Sequence, residues 1–341
     1  MSARQYWGRA LAAALFVLGA SMGARAQTSL LNVSYDVSRE LYKDINPAFA
    51  ARWKAESGEE VSVRQSHGGS SKQALAVAAG LEADVVTMNQ APDIDLLVER
   101  GALAADWRRR FPHGASPYTT ISVFLVRKGN PKGIKDWDDL ARAGVRVIVP
   151  NPKVSGNGRY TYLAAWGYAL GKNAQEKDGG AAAAREFVRG LFANVPVLDG
   201  GGRGATTTFT QRDTGDALVT FENEAILIAR ELGGDRFDIV YPSVSIEASA
   251  PVAVVDKVAA RRGTQRQARA YLDFLFAPEG QEIIARHSFR PRDEGVLARN
   301  ASRFPAIRTF TVEQAFGGWD KVREHFADGG IYDQIVSAAK R

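Results

Sequence analysis

Along the chain, short apolar runs of strand length alternate with longer stretches of helical period, and the joints between them repeat one local grammar. An apolar run is followed by a few Ser, Gly, Asn or Asp residues and then by a helix start. Leu30–Tyr35 reads as a buried strand running into Asp36-Val37-Ser38. Residues 39–54 then carry helical periodicity through Leu41, Ile45, Phe49 and Trp53, with Pro47 expected to kink or break the helix. Val61–Gln65 alternates polar and apolar as a half-buried strand does, feeds His67-Gly68-Gly69-Ser70-Ser71, and gives way to an Ala-rich helix over 72–79. Val145–Val149 is a third strand, 150–158 a Pro/Gly/Asn loop, and 159–170 an aromatic-rich helix. Val195–Leu198 leads into Asp199-Gly200-Gly201-Gly202-Arg203-Gly204 and a helix from Ala205 to about Arg212.

Strands alternating with helices predict an α/β fold with largely parallel sheets, whose ligands sit beyond the carboxyl ends of the strands. All four loops then face ligand. A helix start offers backbone N–H groups without a partner in their own helix and a partial positive charge, so four of them around one point would hold an anion without Lys or Arg.

Two segments are candidate crossings between layers. Thr119–Val126 reads as a strand with a polar exit at 127–132, and 242–248 precedes the apolar stretch Pro251–Val255. If both cross, the chain forms two lobes, one from 27–117 plus 247–341 and one from 118–246, with a ligand cleft between them. The C-terminal third looks structural: 267–276 is amphipathic, Pro278 starts a helix, and Phe316-Gly317-Gly318-Trp319 reads as a packing turn.

Charge and composition change this picture in two places. Arg4 and Arg9 precede the apolar run 10–20, and Ala24-Arg25-Ala26 follows, which is the pattern of a secretory signal peptide cleaved after Ala26. Removing residues 1–26 takes away three Arg and no acid, so the 44 Lys+Arg against 38 Asp+Glu become 41 against 38, and the net charge falls from +6 to +3. The mature protein is expected in a bacterial periplasm. The chain has no cysteine, which excludes thiol nucleophiles, disulfides, Cys-based zinc sites and iron–sulfur clusters. Its four histidines, His67, His113, His287 and His325, offer no i, i+4 metal pair.

Catalytic signatures are sparse. Residues 200–205 satisfy G-x-G-x-x-A after a strand, but deep in an exported chain. His67 beside Ser70 admits a base and a nucleophile, with no third group in sight to orient the histidine. Glu222 and Glu224 read as a capped or solvated helix start.

The same loops carry a family resemblance. Residues 30–36, Gln65-Ser66-His67-Gly68-Gly69-Ser70, 127–132, Pro150-Asn151-Pro152-Lys153 with Ser155-Gly156, Arg203-Gly204-Ala205-Thr206 and Phe316-Gly317-Gly318-Trp319 resemble the sulfate- and thiosulfate-binding proteins of bacterial ABC importers. The resemblance implies the two-lobed type II periplasmic-binding-protein fold. It would place on the anion the main-chain N–H of Asp36, the hydroxyl and N–H of Ser70, the hydroxyl of Ser155, and the N–H groups of Gly156, Asn157 and Gly202. His67 and Arg203 would bond the peptide units that point at the ligand. At Phe221 the sulfate-binding proteins commonly carry a Trp whose indole N–H donates to the anion, and phenylalanine cannot donate. Residues 36–40, 157–162 and 206–209 are more similar to the thiosulfate-binding branch, so a site accepting both anions is expected. The resemblance further implies a monomer that delivers its anion to a membrane permease, with no cofactor, no catalysis and no nucleic acid. The alternatives are an exported binder of another oxyanion, such as molybdate, or an exported sulfo- or phospho-ester hydrolase.

Overall fold

The computed structural model describes residues 27–173, 175, 180–231 and 235–339. The expected signal peptide, residues 1–26 with its cleavage after Ala26, lies outside the described residues. Among the described residues, no helix is long and apolar enough to cross a membrane.

Two sheets organise the α/β fold. In the first, Thr28–Tyr35 lies parallel to both Val61–Gly68 and Val85–Thr87, and Val252–Val254 joins the edge antiparallel. Ser34 is in register with both His67 and Thr87, so the three parallel strands end at one level and their loops leave by the same edge. In the second sheet Val147–Pro150 is parallel to Leu198–Asp199 and to Ala217–Phe221. Their carboxyl ends again share one edge.

The second sheet is mixed rather than largely parallel as the sequence suggested. Tyr118–Arg127 runs antiparallel to Ala217–Phe221, Phe237–Val240, Val244–Ser249 and Arg290–Pro291. The reason is topological, because this strand brings the chain into the second sheet and Val244–Ser249 takes it back out beside it, so the pair must run in opposite directions. Tyr118–Arg127 is buried on both faces: Phe124 and Val126 enter the main apolar core, while Ile121, Val123 and Leu125 pack into a smaller cluster with Ile148, Phe209 and Leu218.

Two local expectations change. The first helix, Arg39–Ser57, runs unbroken through Pro47. Pro47 lies on its exposed face, where the carbonyl deprived of an N–H partner can be met by water. The strand expected over 195–198 shrinks to Leu198–Asp199, since Pro196 has no donor for the ladder.

The end of the chain packs beside the second sheet. Arg308–Phe310 pairs parallel with Val244–Ser249, and the ring of Phe310 occupies the space a side chain at Gly167 would need. Farther on, Tyr162 meets the rings of His325, Phe326 and Tyr332 edge-on and bonds His325 Nδ1 at 2.7 Å. Lys153 Nζ donates to the carbonyls of Phe326 and Ala327 and pairs with Asp333. Residues 308–339 thus fasten onto the helices of the second sheet, because the aromatic face of the helix Gly156–Lys172 is covered by them.

Candidate functional site

Five loops leave the two sheets at facing edges. On the first sheet, Tyr35 runs into a single tight turn, Asp36–Ser38, that opens the helix Arg39–Ser57. Gly69 caps Ser70–Ala78, and Met88-Asn89-Gln90 lead from Thr87 into Ala91–Glu99. On the second sheet, Ser155 caps Gly156–Lys172, its hydroxyl accepting from the Gly158 N–H at 3.4 Å, and Gly201 caps Gly202–Thr210. Both helix starts fall earlier than the sequence indicated. Gly156, Asn157 and Gly202 therefore lie in first turns, where main-chain N–H groups have no partner within the helix.

Close backbone approach brings these loops together. A Cβ on Gly69 would lie 2.6 Å from the Gly200 carbonyl oxygen and 2.8 Å from that of Val154. One on Gly202 would lie 2.8 Å from the Val37 side chain and 3.1 Å from Asn157 Nδ2, and one on Gly156 would collide with the Asn89 carboxamide. Only glycine fits such contacts. Asp36, Ser70, Ser155, Gly156, Asn157 and Gly202 thus gather where the two sheets face each other, and both serines are buried, Ser70 at 1% exposure.

Ser70 Oγ accepts from the Asn89 N–H at 3.2 Å and lies 3.6 Å from Met88 Sδ. Asn157 Nδ2 donates to Thr220 Oγ1 at 3.4 Å. Phe221, at the end of its strand, has a fully buried ring 6.0 Å from that of Tyr160, one turn along the helix that begins at Gly156.

Charged groups stand behind this surface in paired sets. Arg203 donates its backbone N–H to Asp36 Oδ2 at 3.0 Å, and its guanidinium reaches Glu40 at 2.7 Å and Glu224 at 3.3 Å. Arg203 therefore bonds carboxylates, where peptide units were expected. These contacts also bridge the two sheets, since Asp36 and Glu40 come from the first and Arg203 from the second. Burial pushes the Asp36 carboxyl up, against the Arg203 N–H and charge. Glu224, at 0% exposure, is pushed up to about 7 by burial, opposed by Arg203 and by a 2.8 Å bond from Thr206 Oγ1.

The expectation of a solvated helix start at Glu222 and Glu224 is thus corrected: both are fully buried, and Glu222 is gripped by Arg290 at 2.7 and 2.9 Å. Arg290 lies 68 residues farther along, so nothing local in the sequence marks the pair.

His67 Nδ1 lies 2.6 Å from Ser34 Oγ. Its hydrogen-bond partner is a strand serine, and the pairing with Ser70 that a nucleophile would need does not form. Asn89, on a loop outside the four that the sequence singles out, also lies in this cluster, between Ser70 Oγ and Gly156. Its signal was present, because Val85-Val86-Thr87-Met88-Asn89-Gln90 before a helix repeats the strand–loop–helix grammar a fifth time.

Comparison with known proteins gives concordant matches. The family model for bacterial extracellular solute-binding protein matches residues 32–290. A thiosulfate-binding protein of Pseudomonas aeruginosa is 56% identical over 333 residues, covering 96% of this chain and 99% of that one. A sulfate-binding protein of Escherichia coli is 52% identical over 330 residues, with 96% and 98% covered. Among solved structures, the sulfate-binding protein SubI from Mycobacterium tuberculosis H37Rv superposes with a TM-score of 0.76 at 33% identity, over 87% of this chain and 98% of that one.

The environment of His67 predicts a pH effect on stability. Burial, aided by the charge of Arg39, pushes its pKa down to about 4, whereas an unfolded chain takes up the proton near about 6.5. The folded state keeps the ring neutral, so the His67 contribution is complete above about pH 6.5 and is lost as pH falls toward about 4. His67→Gln is expected to lose less unfolding free energy than the wild type between about pH 7 and 4.5 in denaturant titrations. Equal losses would show that His67 titrates alike in both states.

Proposed function

The chain belongs to the bacterial extracellular solute-binding proteins, in the group of the sulfate- and thiosulfate-binding proteins, and on that premise we propose that it binds sulfate and thiosulfate between its two sheets. The observation that carries the reading is the convergence of four helix starts, at Asp36, Ser70, Gly156 and Gly202, on one buried locus. The anion is held by the N–H groups of Asp36, Ser70, Gly156, Asn157 and Gly202 and by the hydroxyls of Ser70 and Ser155. The lobes are 27–117 with 247–307, and 118–246 with 308–339 strapped onto it. They close about the adjacent strands Tyr118–Arg127 and Val244–Ser249. The exported protein hands the anion to the membrane permease of an ABC importer.

Neutral donors suffice for a divalent anion when they replace water's hydrogen bonds almost completely, because an unpaired buried charge would cost far more than folding can supply. Each hydrogen bond to a charged group contributes about 1.5–3 kcal/mol. The donor set also selects. Hydrogen phosphate carries a proton that needs an acceptor, and leaving it unpaired costs about 1–3 kcal/mol, whereas sulfate and thiosulfate near neutral pH carry none. Asp36 and Glu224 are already engaged within the protein, Asp36 Oδ2 by the Arg203 N–H and Glu224 by Thr206 Oγ1 and the Arg203 guanidinium.

Removing one hydroxyl donor tests the site directly. Ser70→Ala and Ser155→Ala are each expected to weaken sulfate and thiosulfate binding about tenfold to a hundredfold in calorimetric titrations; wild-type affinity in both variants would remove the serines from the site. Phe221→Trp supplies an indole N–H at the end of the strand and is expected to move the thiosulfate-to-sulfate affinity ratio toward sulfate. A constant ratio would exclude position 221 from anion preference.

A further inference from the structure

We propose that Asn89 is an additional ligand contact of this site, supplying a side-chain amide donor from the loop after Val85–Thr87. The inference rests on the oxyanion reading above and extends its donor set to a fifth loop.

Three observations meet at this residue. Thr87 is in register with Ser34, so the chain beyond it leaves the first sheet at the edge from which the Asp36 and Ser70 loops also depart. The Asn89 backbone N–H donates to Ser70 Oγ, which occupies a lone pair of that hydroxyl while its single proton is directed at Met88 Sδ, a weak acceptor 3.6 Å away. The Asn89 carboxamide reaches across to the opposite sheet and rests on Gly156, the first residue of its helix, at the distance that forbids a side chain there.

The carboxamide is 4% exposed, and its Oδ1 is buried without a hydrogen-bond partner. Such an orphaned amide oxygen is destabilising unless something donates to it. Asparagine, however, carries its own remedy, because a half-turn about its last torsion exchanges oxygen for NH2 at the same place. Next to a helix start that holds an anion, the nitrogen is the end that gains, and Asn89 then donates where its oxygen now lies. A side-chain donor can also follow a change in ligand shape, which a backbone N–H fixed in a helix turn cannot do. Asn89 thereby suits a site that must accept four short S–O bonds in one anion and a longer bond to terminal sulfur in another.

The test is calorimetric titration of wild type, Asn89→Ala, Asn89→Leu and Asn89→Asp with sulfate and with thiosulfate, with circular dichroism of each variant alongside. Asn89→Asp keeps the size and shape of the side chain and replaces the donor nitrogen by an acceptor oxygen. Asn89→Ala is expected to weaken both anions at least about tenfold, and Asn89→Asp to lose measurable binding while remaining folded. Asn89→Leu, of similar size but with neither donor nor charge, is expected to weaken both anions as the Ala variant does, whereas a side chain that merely fills the space against Gly156 would leave it at wild-type affinity. That result overturns the proposal, as does Asn89→Ala within about threefold of wild type. Should Asn89→Ala fail to fold, the Leu variant decides alone. If the wild type itself binds neither anion, the oxyanion reading fails first and takes the assignment of Asn89 with it.

Discussion

Backbone N–H groups at a helix start have no partner in their own helix, and this chain turns four such starts toward one another across two sheets. Everything near the site follows from that convergence. The parallel strands must end level, which the shared register of Ser34 with His67 and Thr87 achieves. The loops must then approach to backbone contact, so Gly69, Gly156 and Gly202 have no room for a side chain. Those contacts are made between sheets rather than within one, so the shape of the site belongs to the approach of the two bodies.

The charges nearby are arranged to stay out of the way. Arg203 lies between Asp36, Glu40 and Glu224, bonding the first two and forming an ion pair with the third. Glu222, which follows directly on the strand Ala217–Phe221, is paired with Arg290. Removing one partner from such a buried pair leaves an uncompensated charge, which is far costlier than the pair itself is stabilising. In the proposed site recognition is left to neutral groups, and the net charge of +3 on the expected mature chain assists encounter at most.

Much of this was legible in the sequence because it is local. A strand of five apolar residues, a Gly/Ser loop and a periodic helix leave a readable trace, and four of the five loops were found by that trace alone. Family resemblance put forward individual donors on those loops, which the serine variants test. What escaped was set by distant partners: the buried states of Glu222 and Glu224 depend on Arg290 and Arg203, and residues 308–339 settle on the second sheet because aromatic rings on Gly156–Lys172 await cover there. Asn89 escaped for a different reason. Its strand, Val85–Thr87, is only three residues long, too short for an alternating pattern to stand out.

If neutral donors alone bind a fully deprotonated sulfur oxyanion, calorimetric titration of the wild-type protein with sulfate, thiosulfate, molybdate and phosphate near neutral pH will separate the anions by the proton they carry. Dissociation constants of about a micromolar or tighter are expected for sulfate and thiosulfate, with binding of phosphate at least about tenfold weaker. Phosphate bound as tightly as sulfate, or neither sulfur anion bound at all, would contradict binding by neutral donors alone.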